Sequence, residues 1–276
     1  MAKNNQAMIE TIFKHRGAYF YVNSLSADGL NAIHIAAFHG NPNLLQFLLN
    51  HQADVNAVDR SGSSALFYAI KSKNAKTANL LLKHKANPNI ANHFGETVIH
   101  LLCRQPILPI LVKLINQCDI NAQTIEKRTP LHEAVLSNHT DVILFLLTAR
   151  SDLNLNLQDC DGNTALHLAV QQGSFLIANT LLGSNYALDF GIQNKANQTA
   201  LQMAQQLGRS AIASIITNRL SRSQIQQKKS NLRPNTIVSM KPNKIVSVKP
   251  NSKSKTVISV KSKKKNNFGG KISKLK

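Results

Sequence analysis

Residues 129–139 read TPLHEAVLSNH, which sets His132 beside Glu133 and places a second histidine, His139, seven residues on. Imidazoles near a carboxylate can hold a divalent metal or pass protons in general acid–base catalysis. Zinc hydrolysis from a single helix uses HExxH, with both histidines on one face a turn apart. Here the residue four after His132 is Leu136. Seven residues of continuous helix rise about 10 Å, too far for two imidazoles to ligate one ion at about 2 Å.

Other reactive patterns fail in the same way. GGKIS (269–273) approaches a phosphate loop, but Lys265 stands where the first glycine belongs and Ile272 where a hydroxyl should meet magnesium. GxGxxG and GxSxG are absent, and Cys103, Cys118 and Cys160 form no CxxC pair. Three widely spaced cysteines argue against a disulfide framework and fit a reducing compartment. No cofactor, metal or catalytic residue is expected, and the chain is read as a non-enzyme.

The elements that carry these residues follow from composition and periodicity. The sequence is 43% hydrophobic without a single Trp, so its core is built from Leu, Ile, Val and Ala. The first twenty residues contain no continuous apolar run of the secretory kind. The longest apolar run, VILFLLTA (142–149), is less than half a membrane span. A soluble intracellular protein, cytoplasmic or nuclear, is the expectation. Net charge is +20, but 16 Lys and Arg and no Asp or Glu fall in 221–276, against 17 basic and 13 acidic residues before it. The boundary between the two parts is expected near Leu220.

One unit recurs six times, starting DGLNAIHIAAFHG, SGSSALFYAIKSK, FGETVIHLLCRQ, EKRTPLHEAVLSN, DGNTALHLAVQQG and KANQTALQMAQQLG. The slot of His132 is filled in turn by His34, Phe67, His100, His132, His167 and Gln202, at steps of 33, 33, 32, 35 and 35. A leucine-rich second segment follows each start. In TPLHEAVLSN, Thr129 can cap a helix with Pro130 at its first position, and Leu131, Ala134 and Val135 share a face. Ala36, Ala37, Ala69, Ala134, Ala169 and Ala204 permit close helix approach. Gly40, Gly173 and Asn138 suit the left-handed stop.

A period near 33 with TPLHEA, TALHLA, and the closing ADVNA and ANPNI resembles the ankyrin repeat family. The resemblance covers roughly 28–219 and implies an all-α solenoid of helix–turn–helix units with projecting hairpin loops. The units are placed at 28–58, 59–91, 92–122, 123–158, 159–193 and 194–219, after a capping segment, 1–27, whose MIETIFKH (8–15) could form a helix. The resemblance also implies that His34, His100, His132 and His167 bond the backbone of the adjacent turn. A residue repeated once per unit fits structure better than catalysis. Pro106 and Pro109 should delay the second helix of unit three. Two extra residues in each of units four and five are placed around 155–157 and 189–191. Unit six is expected to end at the polar 217–219.

The resemblance implies a protein partner, held on the concave face of the first helices and on the loop tips. By position the face offers Phe38, His39, Lys71, Arg104, Leu136 and Gln171, and the tips Arg60, His93, Phe94, Lys127 and Arg128. Residues 220–276 lack the apolar surface to offset ordering entropy and are expected to be a disordered basic tail. Within it TIVSMKPN (236–243) and KIVSVKPN (244–251) nearly duplicate one another. Lys261, Lys263, Lys264 and Lys265 fit a nuclear-import signal or contact with nucleic acid or acidic lipid. The leading expectation is a non-catalytic binding scaffold, monomeric alone. Its alternatives are a nucleic-acid-associated or nuclear regulator acting through the tail, and a secreted bacterial effector engaging a host protein.

Overall fold

The computed structural model describes residues 22–231. The expected helix at 8–15 and the lysines at 261–265 lie outside the described residues. Short helices come in antiparallel pairs: α1 (Ala32–Phe38) with α2 (Pro42–Asn50), α3 (Ala65–Lys71) with α4 (Ala75–Lys83), α5 (Val98–Arg104) with α6 (Leu108–Leu114). The next pairs are α7 (Pro130–Leu136) with α8 (Thr140–Ala149), α9 (Ala165–Gln172) with α10 (Phe175–Gly183), and α11 (Ala200–Gln206) with α12 (Ser210–Asn231). First helices stack on first helices along the series, and second helices form the other layer. The described residues thus form the ankyrin-type helical solenoid expected from the sequence.

Helices of seven to ten residues are too short to persist alone in water, so each depends on its neighbours. The side chains that meet between pairs form one continuous core, with Ile33, Leu66, Ile99, Leu102, Leu111, Leu131 and Ile177 buried. The alanines at the helix crossings, Ala37, Ala69, Ala134, Ala169 and Ala204, are fully buried, so that larger residues there would push the layers apart. Between the helices of a pair, Gly40, Asn138 and Gly173 take the left-handed conformation.

Two ladders tie one pair to the next. At the hairpin tips, the N–H groups of His93, Ile125, Cys160 and Lys195 donate to Ser61 O, Phe94 O, Glu126 O and Asp161 O at 2.7–2.9 Å. At the opposite connection, Asn23, Asn56, Asn89, Asn121 and Asn156 each accept an N–H from the following unit with Oδ1, at 2.8–3.1 Å. The Nδ2 groups of Asn89, Asn121 and Asn156 donate onward to Gln117 O, Asp152 O and Ala187 O. Asn23 makes the same contact one period before Asn56, so the repeat pattern begins ahead of residue 28, within the stretch expected to be a capping segment.

Three sequence expectations need correction. Helix α6 does not start late: Leu108 begins it in register with Ala75 of α4, and Pro109 fits the first turn, where its missing N–H costs nothing. The helix is instead short at its far end, and the outer layer is loosest between α6 and α8. Arg150 closes that end by donating from Nη1 to Ile115 O at 2.6 Å and Cys118 O at 3.1 Å. The extra residues of units four and five do not fall at 155–157 and 189–191, because Asn156 and Asp189 hold ordinary ladder positions. They fall just after α8 and α10, where Tyr186 Oη donates to Arg150 O across the two units. Finally, α12 runs past Leu220 to Asn231. No Pro or Gly interrupts the sequence between Gly208 and Pro234, and Gln, Arg and Lys favour helix.

Candidate protein-binding surface

His132 heads helix α7 with its N-cap, Thr129. The Thr129 N–H donates to His132 Nδ1 at 3.1 Å, while Nε2 lies 3.1 Å from Asn163 O in the next unit. With Nδ1 accepting from a backbone amide, Nε2 carries the proton and the ring is neutral. His34, His100 and His167 repeat the arrangement, with Nε2 on Ala57 O, Ala122 O with Arg128 O, and Gln198 O. Burial lowers the pKa of all four rings, more than their carbonyl partners raise it. His139 turns the other way, its Nε2 3.2 Å from Arg104 O in the preceding unit. Among the described residues no three His, Cys, Asp or Glu side chains converge as metal ligands. Cys103 and Cys118 are buried, and burial pushes the Cys118 thiol up to about 12. Such a thiol is a core group and not a nucleophile.

Exposed apolar side chains lie on both layers: Leu108, Val112, Leu144, Phe175 and Leu176 on the second helices, and Ile35, Phe38, Phe94 and Ile125 on the first-helix face and hairpin tips. Phe94 is 58% exposed and Ile125 66%, and the Ile125 N–H donates to Phe94 O at 2.9 Å, which fixes the two tips side by side. Gly95, at φ +73°, allows this approach: a Cβ there would lie 2.9 Å from Thr124 Cα. Beneath the pair lies an open depression of about 430 Å³ walled by Glu96, Arg104, Glu126, Arg128 and Glu133. Its polar floor is organised by Arg104, which donates to Glu133 Oε2 at 2.8 Å and Glu96 Oε1 at 2.7 Å. Burial pushes the Glu96 carboxyl up, but Arg104 and the Asn92 amide outweigh it and hold it below its usual range. Arg128 pairs with Glu126 at 2.8 Å, and its buried Nε has no acceptor among the described residues.

A second depression, of about 490 Å³, opens beside α1 and α3 and is lined by Leu30, His34, Ile35, Phe38, His39 and Tyr68. Phe38 stands edge-on to His39 and Tyr68, with centroids 5.3 and 6.2 Å away. Tyr68 Oη donates to Asp59 Oδ2 at 2.6 Å. Burial and that bond raise the phenol to about 12, while the bonds from Tyr68 and Ser61 outweigh burial and lower Asp59.

The sequence candidates therefore separate. Phe94, Arg104 and Arg128 share one depression, and Phe38 and His39 share the other. Lys71 and Arg60 belong to the unit between, and both are exposed. His93 and Lys127 are exposed at the tips, and Gln171 is exposed at the end of α9. Leu136, placed on the face by position, is half-buried against the core. Ile125 and Glu133 escaped the sequence reading of the surface. Ile125 falls at a tip position filled by a different residue type in each unit (Arg60, His93, Ile125, Cys160, Lys195), and Glu133 stands out in the sequence only as a neighbour of His132.

The comparisons with known proteins agree with this geometry. The family model described as ankyrin repeats (3 copies) matches residues 1–92 and 85–159, and the one described as ankyrin repeat matches 161–195. Among solved structures, the chain is similar to the crystal structure of the ankyrin repeat domain of Bcl-3, described as a unique member of the IkappaB protein family. The two share 24% identity at a TM-score of 0.64, over 76% of this chain and 91% of that one. No curated protein matches the sequence. None of the helices among the described residues is long and apolar enough to cross a membrane. With family models covering more than half its length, the chain belongs to the ankyrin repeat family.

Proposed function

We propose that the protein is a non-catalytic interaction scaffold, which holds a partner protein on its first-helix face and hairpin tips. The observation that carries this reading is the Phe94–Ile125 pair, two large apolar side chains exposed side by side above charged groups that are themselves paired. Exposed aromatic and aliphatic anchors over a fixed polar floor are the usual energetic centre of a protein interface. Family membership supports a binding role in general, since ankyrin units are scaffolds whose partners are set by what they display. The absence of a catalytic role is supported by the engagement of the ladder histidines with backbone and by the buried thiols. The basic residues beyond 231 would add localisation or attachment to a polyanion, by composition alone.

The test is site-specific photo-crosslinking. A crosslinker placed at Ile125 should capture a discrete protein from cells, and one placed at Leu176, exposed on the second-helix layer, should not. Equal capture at both positions, or capture only at Leu176, contradicts the reading.

A further inference from the structure

The repeat supplies its own control for what the scaffold requires. The position of Phe38 on the first-helix face is filled in successive units by Phe38, Lys71, Arg104, Leu136, Gln171 and Gln206, on the same backbone. What varies there is not dictated by the fold, so its pattern along units one to four describes an occupant.

Along units one to four the row reads Phe38, Lys71, Arg104 and Leu136, of which Leu136 packs on the core, so the apolar point beyond the basic pair is supplied by the adjoining hairpin tips. The first depression takes an apolar side chain: Leu30, Ile35 and Phe38 line it, and the Tyr68 hydroxyl and His34 Nε2 are already engaged with Asp59 and Ala57 O. The second apolar point is the Phe94–Ile125 pair. Between them, residues 59–91 contain Arg60, Lys71, Lys73, Lys76, Lys83 and Lys85 but a single acidic residue, Asp59. Asp59 is bonded by Ser61, Ser63 and Tyr68, and no ion pair among the described residues involves Arg60 or Lys71. The Arg104 guanidinium, next along the row, is neutralised by Glu96 and Glu133. Two cations without an ion-pair partner among the described residues therefore sit between two apolar sites, with Arg60 packed beside Gly29, the neighbour of Asp28.

We propose that the occupant is an extended acidic segment of a partner protein, with two large apolar residues flanking Asp or Glu. The proposal rests on the reading of this face as the partner site. Packed helices lie about 8–10 Å apart, so two units separate the apolar points by roughly 20 Å. Extended chain covers that in about six residues at about 3.3 Å each. The intervening carboxylate would meet Arg60 and Lys71. A nucleic acid fits less well, because the cations are flanked by apolar sites and by the exposed Glu126.

The test is selection of a displayed random 12-residue peptide library on the full-length protein. Three forms are used: wild type, Arg60→Glu/Lys71→Glu and Phe94→Ser/Ile125→Ser, each checked for wild-type circular dichroism. The expected wild-type selection pairs two large apolar residues about six apart with Asp or Glu between. The charge-reversed form should bind those peptides at least about tenfold more weakly and select Lys or Arg at the centre instead. Selected sequences without acidic bias, an unchanged preference in the charge-reversed form, or displacement of the peptides by single-stranded DNA each overturn the proposal. If the Phe94/Ile125 form loses binding while central charge proves irrelevant, the partner chemistry fails but the site stands. If that form selects the wild-type peptides undiminished, the reading of the face itself fails.

Discussion

His132 and His139, seven residues apart in one unit, donate to carbonyls on opposite sides: His132 to Asn163 O in the following unit, His139 to Arg104 O in the preceding one. A spacing that invites comparison with a metal site is a pair of fasteners facing away from each other. Each ring ties its own unit to a neighbouring backbone, and the repeat is held from both sides.

The neutral ladder histidines predict a pH dependence of stability. Burial lowers their pKa in the folded chain from 6.5, so below that value the unfolded chain takes up protons more readily than the folded one. Stability should be fully present above about pH 6.5 and should decline as pH falls through 6, read as the urea midpoint. In unit six the slot is filled by Gln202, whose Oε1 accepts the Thr199 N–H at 2.9 Å. His132→Gln should therefore fold, cost about 1–2 kcal/mol at pH 7 through loss of the Asn163 bond, and flatten the acid decline. An unchanged profile would show that His132 is not buried as a neutral ring.

The asparagine ladder predicts that one amide secures two units. Asn89 accepts from the Asp119 N–H at 3.0 Å and donates to Gln117 O at 2.8 Å. Asn89→Ala removes both bonds and should cost about 1–2 kcal/mol. Asn89→Asp, which keeps the acceptor and loses the donor, should cost less. Amide exchange at Asp119 should accelerate in the alanine variant and stay close to wild type in Asn89→Asp, which retains its acceptor.

The Arg104–Glu133 pair should be asymmetric. Glu133 is 5% exposed and Arg104 35%. Arg104→Ala strands a buried carboxylate and should destabilise by about 2–4 kcal/mol, whereas Glu133→Ala leaves Arg104 with Glu96 and solvent and should cost about 1 kcal/mol. A double-mutant cycle from denaturant melts should return a coupling of about 1–2 kcal/mol. Equal single-mutant costs would contradict the asymmetry.

Much of this was legible before any coordinates, because the repeated residue types answer backbone demands. Thr129 caps, Pro130 starts a helix, Gly173 turns left-handed and Ala134 admits a neighbour, each for a reason local to a few residues. What escaped was non-local. Asn89 and Asn121 sit within plainly visible motifs, yet their bonds reach about thirty residues along the chain, and only the stacking of units brings the partners together. The extra residues of units four and five were misplaced because a length difference does not say where it is absorbed. The ladder settles it by holding Asn156 and Asp189 fixed. Helix α12 runs beyond the change in charge near Leu220 because charge alone does not end a helix, and lysine and glutamine continue one readily. Ile125 became part of the surface only once the hairpins were seen aligned, with its amide on Phe94 O.

The central claim is that the first-helix face and tips carry the function. Its most direct test is affinity capture from nuclease-treated lysate with the full-length protein and its Phe94→Ser/Ile125→Ser variant, at low and at high salt. One protein partner held by the wild type at both salt concentrations, and lost from the variant with unchanged circular dichroism, is the predicted result. Capture that survives in the variant and disappears with salt or nuclease would contradict the account and place the function in the basic residues of the C-terminal region.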